Sequence, residues 1–234
     1  MHKSRIFLNW QRNVVLSALA ITVFIFTNPT TYFAQGKLSV VSIADAKKLP
    51  LGKEVTVEGS VTVASGTFRS SFSDEGFQVQ DKTGGMYITI KNDPHLIVGQ
   101  RVRFTGKLTE TRLKFQIIET VESSVQVLSG TYLPKPIPVG TGKITEPIIG
   151  KLIKLLGVVT RAVYEIAPYG FRFSVDDGTG ETIVYVSTST GISQKDIILG
   201  QKIELIGVAG EFNQRYQIYP RSPADVKLIG KRER

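Results

Sequence analysis

Gly52–Thr62 (GKEVTVEGSVT) and Gly150–Thr160 (GKLIKLLGVVT) are one strand written twice. Each opens on glycine and lysine, places a second glycine at the eighth position and ends on valine and threonine. Within each, apolar and polar residues alternate, the period of a half-buried strand. Val55 and Val57 in the first copy, and Ile153 and Leu155 in the second, point to one side. Gly59 and Gly157 interrupt these strands. A glycine there suits a strand bent sharply enough to join both halves of a small barrel. These glycines are read as shaping the fold and not as contacting a ligand.

The repetition continues in order. Phe77–Asp81 (FQVQD) matches Phe173–Asp177 (FSVDD), each followed by a turn and then a strand, Met86–Lys91 or Thr182–Ser187. Gly99–Gly106 (GQRVRFTG) matches Gly200–Gly207 (GQKIELIG), and Leu113–Ile117 (LKFQI) matches Gln214–Ile218 (QRYQI). Two copies are too few for a solenoid, so each should close on itself. The only helix candidates after residue 34 are short, Ser42–Lys48 and Ile192–Ile198.

The expectation is therefore an all-β chain of two tandem five-stranded Greek-key barrels. A glycine-bent first strand, and a connection between the third and fourth, describe an OB barrel. Gly76–Ile88 (GFQVQDKTGGMYI) resembles the second and third strands of the OB-fold nucleic-acid-binding family. That family includes tRNA-anticodon and helicase-type modules, and modules attached to secreted bacterial nucleases. Val55–Val63 and the approach to the fourth strand at Val98 fit the same pattern. The resemblance covers about residues 42–128, and 139–229 more loosely, because Glu181 replaces the second turn glycine. It specifies fold strongly and ligand weakly.

The expected organisation is a targeting segment at 1–34, a first barrel at 37–131, a linker at 132–138 and a second barrel at 139–230. Three prolines in the linker (Pro134, Pro136, Pro138) favour a short, stiff, extended connector. Leu156 and Ile206 are apolar where their counterparts are Glu58 and Thr105. They are read either as an inter-barrel or oligomer contact or as simple variation.

Lys3, Arg5 and Arg12 precede an apolar run, Val14–Phe26 (VVLSALAITVFIF), with no acidic residue among them. A polar stretch and a cleavage point after Ala34 complete the plan of a signal peptide. The run is shorter than the roughly 20 residues that span a bilayer. Tyr32 stands where a small residue is usual, which keeps an uncleaved anchor as the alternative. In either case the remainder is expected outside the cytoplasm, periplasmic or extracellular. Subtracting those three basic residues from the 29 in the chain leaves 26 against 20 acidic ones, a net +6. That permits a polyanionic partner without demanding one. The chain has no cysteine, which excludes disulfides, cysteine-ligated metals and lipid attachment through cysteine.

Catalytic signals are nearly absent. His2 belongs to the targeting segment and His95 stands alone, so no triad can be assembled. Asp176 and Asp177 read as turn residues that accept backbone N–H bonds in preference to metal ligands. Gly84, Gly85, Gly178 and Gly180 are hairpin residues with no helix behind them to cradle phosphate. No cofactor, no metal and no enzymatic activity are expected.

Binding signals are stronger. OB barrels bind across their second and third strands, framed by the loops joining strands one to two and four to five. Parity places Gln78, Gln80, Tyr87 and Lys91 outward in the first barrel, and Arg172 and Tyr185 in the second. The framing loops add Phe68, Arg69, Phe72 and Arg112 in the first copy, and Tyr164, Tyr169, Phe212 and Arg215 in the second. Aromatic rings beside cations suit stacking on bases while pairing phosphates. Against this, Phe68 and Phe72 could pack down to close the barrel, Tyr87 and Tyr185 are good strand residues without any ligand, and Gln78 and Gln80 could be plain solvated positions. The leading expectation is an exported, non-catalytic protein binding single-stranded or flexible nucleic acid. The alternative is an envelope adaptor that holds protein or glycan. A nuclease accessory or hydrolase ranks last.

Overall fold

The computed structural model describes residues 39–111 and 116–230. The expected targeting segment and Arg112 lie outside these residues. In chain order the first copy contains β1 (Val40–Val41), α1 (Ile43–Ala46), β2 (Glu54–Val63), α2 (Arg69–Phe72), β3 (Phe77–Gln80), β4 (Gly85–Thr89), β5 (Gln100–Glu110) and β6 (Gln116–Thr131). The second contains β7 (Ile137–Pro138), β8 (Leu152–Ile166), β9 (Gly170–Asp176), β10 (Thr182–Ser187), β11 (Lys202–Phe212), β12 (Arg215–Tyr219) and β13 (Val226–Ile229).

Each copy closes into a ring. β2, β3, β4, β6 and β5 pair in that order, and β5 returns to β2. In the second copy β8, β9, β10, β12 and β11 do the same, with β11 returning to β8. This is the OB topology in duplicate. The glycine bend falls where one strand changes partners. β2 pairs with β5 through Glu54–Ser60 and with β3 from Ser60 onward, so Gly59 stands at the handover. β8 pairs with β11 through Val158 and with β9 from Val158 onward, next to Gly157.

The cores follow the sequence parity. Val55, Val57, Phe77, Val79, Met86, Ile88, Val102 and Phe104 fill the first barrel. Ile153, Leu155, Phe173, Val175, Val184, Ile203 and Leu205 fill the second. Ser42 caps α1 by accepting the Asp45 N–H at 3.1 Å. The second helix candidate is only a single 3-10 turn, Gln194–Asp196, too short to nucleate a helix against neighbouring strands. α2 lies inside a segment read as loop. Tyr216 is exposed near the tip of the β11–β12 hairpin. Among the described residues no helix is long and apolar enough to cross a membrane.

The turn aspartates do the same work in both copies. Asp81 Oδ1 accepts the Thr83 N–H, the Thr83 hydroxyl and the Gly84 N–H, while Oδ2 accepts the Ile43 N–H at the start of α1. Asp177 Oδ1 accepts the Thr179 N–H and hydroxyl and the Thr141 hydroxyl, and Oδ2 accepts the Thr141 N–H. These donors hold the Asp177 carboxyl well below the ordinary aspartate range, the Thr179 hydroxyl contributing most. Each aspartate ties a hairpin to the segment that precedes its barrel.

The two barrels belong to one compact unit. The seam is built on the outer face of β3 and β4. Gln78 Nε2 donates to the Gly150 carbonyl at 2.8 Å, and the Leu152 N–H donates to Gln80 Oε1 at 2.8 Å. Arg221, paired with Asp225 at 2.7 Å, reaches across to donate to the Thr62 carbonyl at 2.8 Å. Val63, Phe68 and Val208 form a small apolar cluster between the barrels, with Tyr87 and Tyr219 against it. Leu156 stays exposed; the barrels meet through the Gly150 carbonyl, the two glutamine amides, Arg221 and the Phe68 cluster instead.

Candidate functional site

The seam decides which of the two OB faces is free. Gln78, Gln80 and Tyr87 do point out of the first barrel, but what lies outside is the second barrel. Gln78 is 4% exposed and Gln80 7%. The Tyr87 hydroxyl donates to Asp74 Oδ1 at 2.6 Å, and burial, followed by the Asp74 charge, pushes that phenol far above its ordinary pKa. The second barrel covers Gln78 and Gln80, and Tyr87 is left half-buried in the seam. The expectation of open binding faces on both copies is therefore corrected: the first copy's face is spent on holding the second.

The framing loop of the first barrel is displaced as well. Phe68 is buried in the seam cluster. Arg69 pairs with Glu75 at 2.9 Å. α2 docks onto the second barrel through hydroxyls: Ser70 Oγ donates to the Tyr169 carbonyl at 2.8 Å, and Ser71 Oγ donates to Ser187 Oγ at 2.9 Å and lies 3.2 Å from the Tyr185 hydroxyl. This docking carries Phe72 to the edge of the second barrel's face. Lys91 is exposed beyond β4 and does not line the cleft on that face.

The face of the second barrel is open and forms a cleft of about 680 Å³. One row of residues crosses it. Tyr164 on β8 is the cross-strand partner of Arg172 on β9, which is in turn the partner of Tyr185 on β10. Side chains at directly opposed positions share one face. The Arg172 guanidinium sits over the Tyr164 ring, 5.0 Å from its centroid. Stacking there occupies the flat face of the guanidinium and leaves its N–H edge for an incoming acceptor. Tyr164 is 62% exposed. The Tyr185 and Tyr219 rings lie 5.7 Å apart, so the row continues onto β12.

Tyr169 closes one end of the cleft, and Phe212 and Arg215 the other, at the β11–β12 hairpin. The structure thus brings together Phe72, Tyr164, Tyr169, Arg172, Tyr185, Phe212 and Arg215. It adds Gln217 and Tyr219, which the sequence reading passed over. Their signal was present: they flank the core residue Ile218 on β12 and so face outward. No carboxylate lines this cleft among the described residues. Cations, π-faces and the absence of acid form a surface suited to a flat, anionic, unpaired polymer. Among the described residues no cluster of three metal-ligating side chains is present.

No family model matches the sequence, and neither does any of the curated proteins compared with it. Similar stretches occur in solved structures. One is a replication protein A heterotrimer bound to single-stranded DNA, at 20% identity over 34% of this chain and 58% of that one, with a TM-score of 0.28. Another is an OB domain from Methanosarcina mazei, at 18% identity over 42% and 88%, TM-score 0.36. A third is a murine DNA-binding protein bound to double-stranded DNA, at 16% identity over 76% and 98%, TM-score 0.39. The first match takes in less than two thirds of its chain. At these scores the likenesses add nothing to the barrel topology read from strand pairing.

Proposed function

We propose that this chain is a non-catalytic binding protein that holds single-stranded or otherwise flexible nucleic acid across the open face of its second barrel. The observation that carries the reading is the row Tyr164, Arg172, Tyr185, with Arg215 in the same cleft and no carboxylate in the lining among the described residues. Stacked bases would lie on the tyrosines, and the phosphates between them would meet the guanidinium edges. A duplex keeps its bases paired and stacked, so its π-faces are not offered to such a row. The first barrel acts as a scaffold whose α2 supplies one wall.

The N-terminal segment supports a place outside the cytoplasm, with Gln35 as the first residue of the mature chain. Mass spectrometry of the exported protein tests that. Binding is tested by mobility shift with single-stranded DNA, RNA and duplex DNA at low salt, followed by a salt titration. Log affinity should fall with log salt in proportion to the phosphates neutralised, at about 0.7 per phosphate on a single strand. A protein that ignores all three nucleic acids at low salt would sink this reading. The envelope-adaptor reading, to which the exposed Leu156 belongs, would then take its place.

A further inference from the structure

Beside the arginine-lined cleft, and sharing Phe72, Phe212 and Tyr219 with it, a second cavity of about 400 Å³ opens into the seam between the barrels. That volume lies within the range of small-ligand pockets. Its chemistry is the reverse of its neighbour's. The walls are aromatic and aliphatic, two carboxylates (Asp74 and Glu211) line it, and no basic side chain does so among the described residues.

Asp74 is fixed in place. Its Oδ1 accepts the Gly76 N–H at 3.0 Å and the Tyr87 hydroxyl, and its Oδ2 accepts the Thr89 hydroxyl at 2.5 Å. A carboxylate oxygen offers about two acceptor sites, so Oδ2 retains one. Glu211 on β11 is half-buried, and its carboxylate makes no hydrogen bond or ion pair among the described residues. A carboxylate partly withdrawn from water without a partner is unfavourable until donors are brought to it.

With Asp74 and Glu211 in its lining, the cavity disfavours a phosphate beside those two carboxylates. It suits a flat apolar body carrying N–H donors at its edge. The cleft next door, on the reading above, already holds a strand of such bodies, and Phe72 and Phe212 stand at the boundary between the two spaces. Resting on that reading, we propose that the seam cavity takes one unstacked base of the bound strand, and that Asp74 and Glu211 favour bases with an exocyclic amine. Cytosine, adenine and guanine offer that donor to a carboxylate. Thymine and uracil lack the exocyclic amine and offer only the ring N3–H, flanked by carbonyl oxygens that a carboxylate repels.

The test is fluorescence anisotropy of the full chain with the single-stranded hexamers dC6 and dT6, which share size and charge. The expected result is about tenfold tighter binding of dC6, within the range one good base-edge contact provides. Glu211→Gln should shrink the gap to about threefold or less while the thermal midpoint holds. Asp74→Asn should do the same, read alongside its melt because Tyr87 and Thr89 lean on that carboxylate. Equal affinity for the two hexamers in the unaltered protein would overturn this inference and leave the binding reading standing. Discrimination that survives both substitutions would overturn it too. Binding of neither hexamer would overturn the reading under Proposed function, and this inference with it.

Discussion

Gly85 and Gly150 meet backbone to backbone across the seam, so close that a β-carbon on either would sit inside the other's carbonyl group. Gly150 opens the second copy of the repeated strand, at the position Gly52 holds in the first. Both have positive φ, +85° at Gly52 and +88° at Gly150, where an L side chain is strained. Only Gly150 also has a partner barrel against it; the nearest neighbour of a β-carbon at Gly52 is the flexible end of Lys107, 3.7 Å away. The repeat thus preserves a turn glycine, and the seam gives one copy of it a second duty.

Gly85→Ala tests the seam without the φ contribution, since Gly85 does not have a positive φ. The added methyl must push Gly150 away and loosen the two glutamine bonds beside it. Forcing a methyl into a tight contact costs about 1–3 kcal/mol. Urea unfolding should show that loss, or a split into two transitions if the barrels separate first. An unchanged midpoint would mean the backbones do not meet there.

A fragment of residues 37–131 should still fold. Its core, from Ile43 to Ile118, draws on no side chain of the second copy. What it loses is cover: Phe68, Gln78, Gln80 and Tyr87 would all face water. The expected outcome is a cooperative melt at a lower temperature than that of the whole chain. A fragment without a cooperative transition would show that the first barrel depends on its neighbour for folding as well as for cover.

The barrels were legible because their signal is local and repeated. Alternation at Val55 and Val57 or Ile153 and Leu155, and glycine at the bend, recur in both copies, and no distant contact is needed to read them. The site was only half legible for a related reason. Parity tells which side of a strand Gln78 or Tyr87 faces, but not whether solvent or another barrel lies beyond. Both outcomes occur here on the corresponding strands of the two barrels: Tyr87 on β4 is half-buried in the seam, while Tyr185 on β10 lines an open cleft. The seam itself has almost no sequence signature. It rests on glycines, whose turn role hides their packing role, and on amides, which look like solvated surface.

Acid should erode the Asp177 tether only as pH falls below the ordinary aspartate range. The folded-state pKa of Asp177 is depressed, chiefly by the Thr179 hydroxyl and despite some desolvation. A depressed carboxyl contributes stability above its unfolded value, near 3.9, and loses that contribution as pH falls through the folded value. Asp177→Asn should therefore be less stable than the parent at neutral pH, and the gap should close as pH drops below about 4. Because Asp177 is exposed, screening keeps the effect modest. A gap that stays constant with pH would assign the loss to geometry and not to the charge.

The sharpest test of the open face compares its tyrosines with one that sits in the seam. Tyr164→Ala removes a ring that is mostly in solvent, so the melt should barely move while affinity for single-stranded DNA falls by about 1–3 kcal/mol. Tyr185→Ala should lose a similar amount of binding with a small stability cost, since its hydroxyl lies against Ser71. Tyr87→Ala should behave in the opposite way. It strips a donor from Asp74 and opens a void beside Phe72, whose ring centroid is 4.8 Å from that of Tyr87. Stability should drop by about 3 kcal/mol or more. Any effect on binding would then follow from the damaged seam, which supports the wall that Phe72 provides. Arg172→Glu should lower affinity and flatten the salt dependence by about one phosphate's worth of counterion release. Arg69→Glu, whose partner is Glu75, should leave the salt slope where it was. If Arg69 controls the slope and Arg172 does not, the polymer lies on the first barrel's loop, and the open face of the second barrel is not the site.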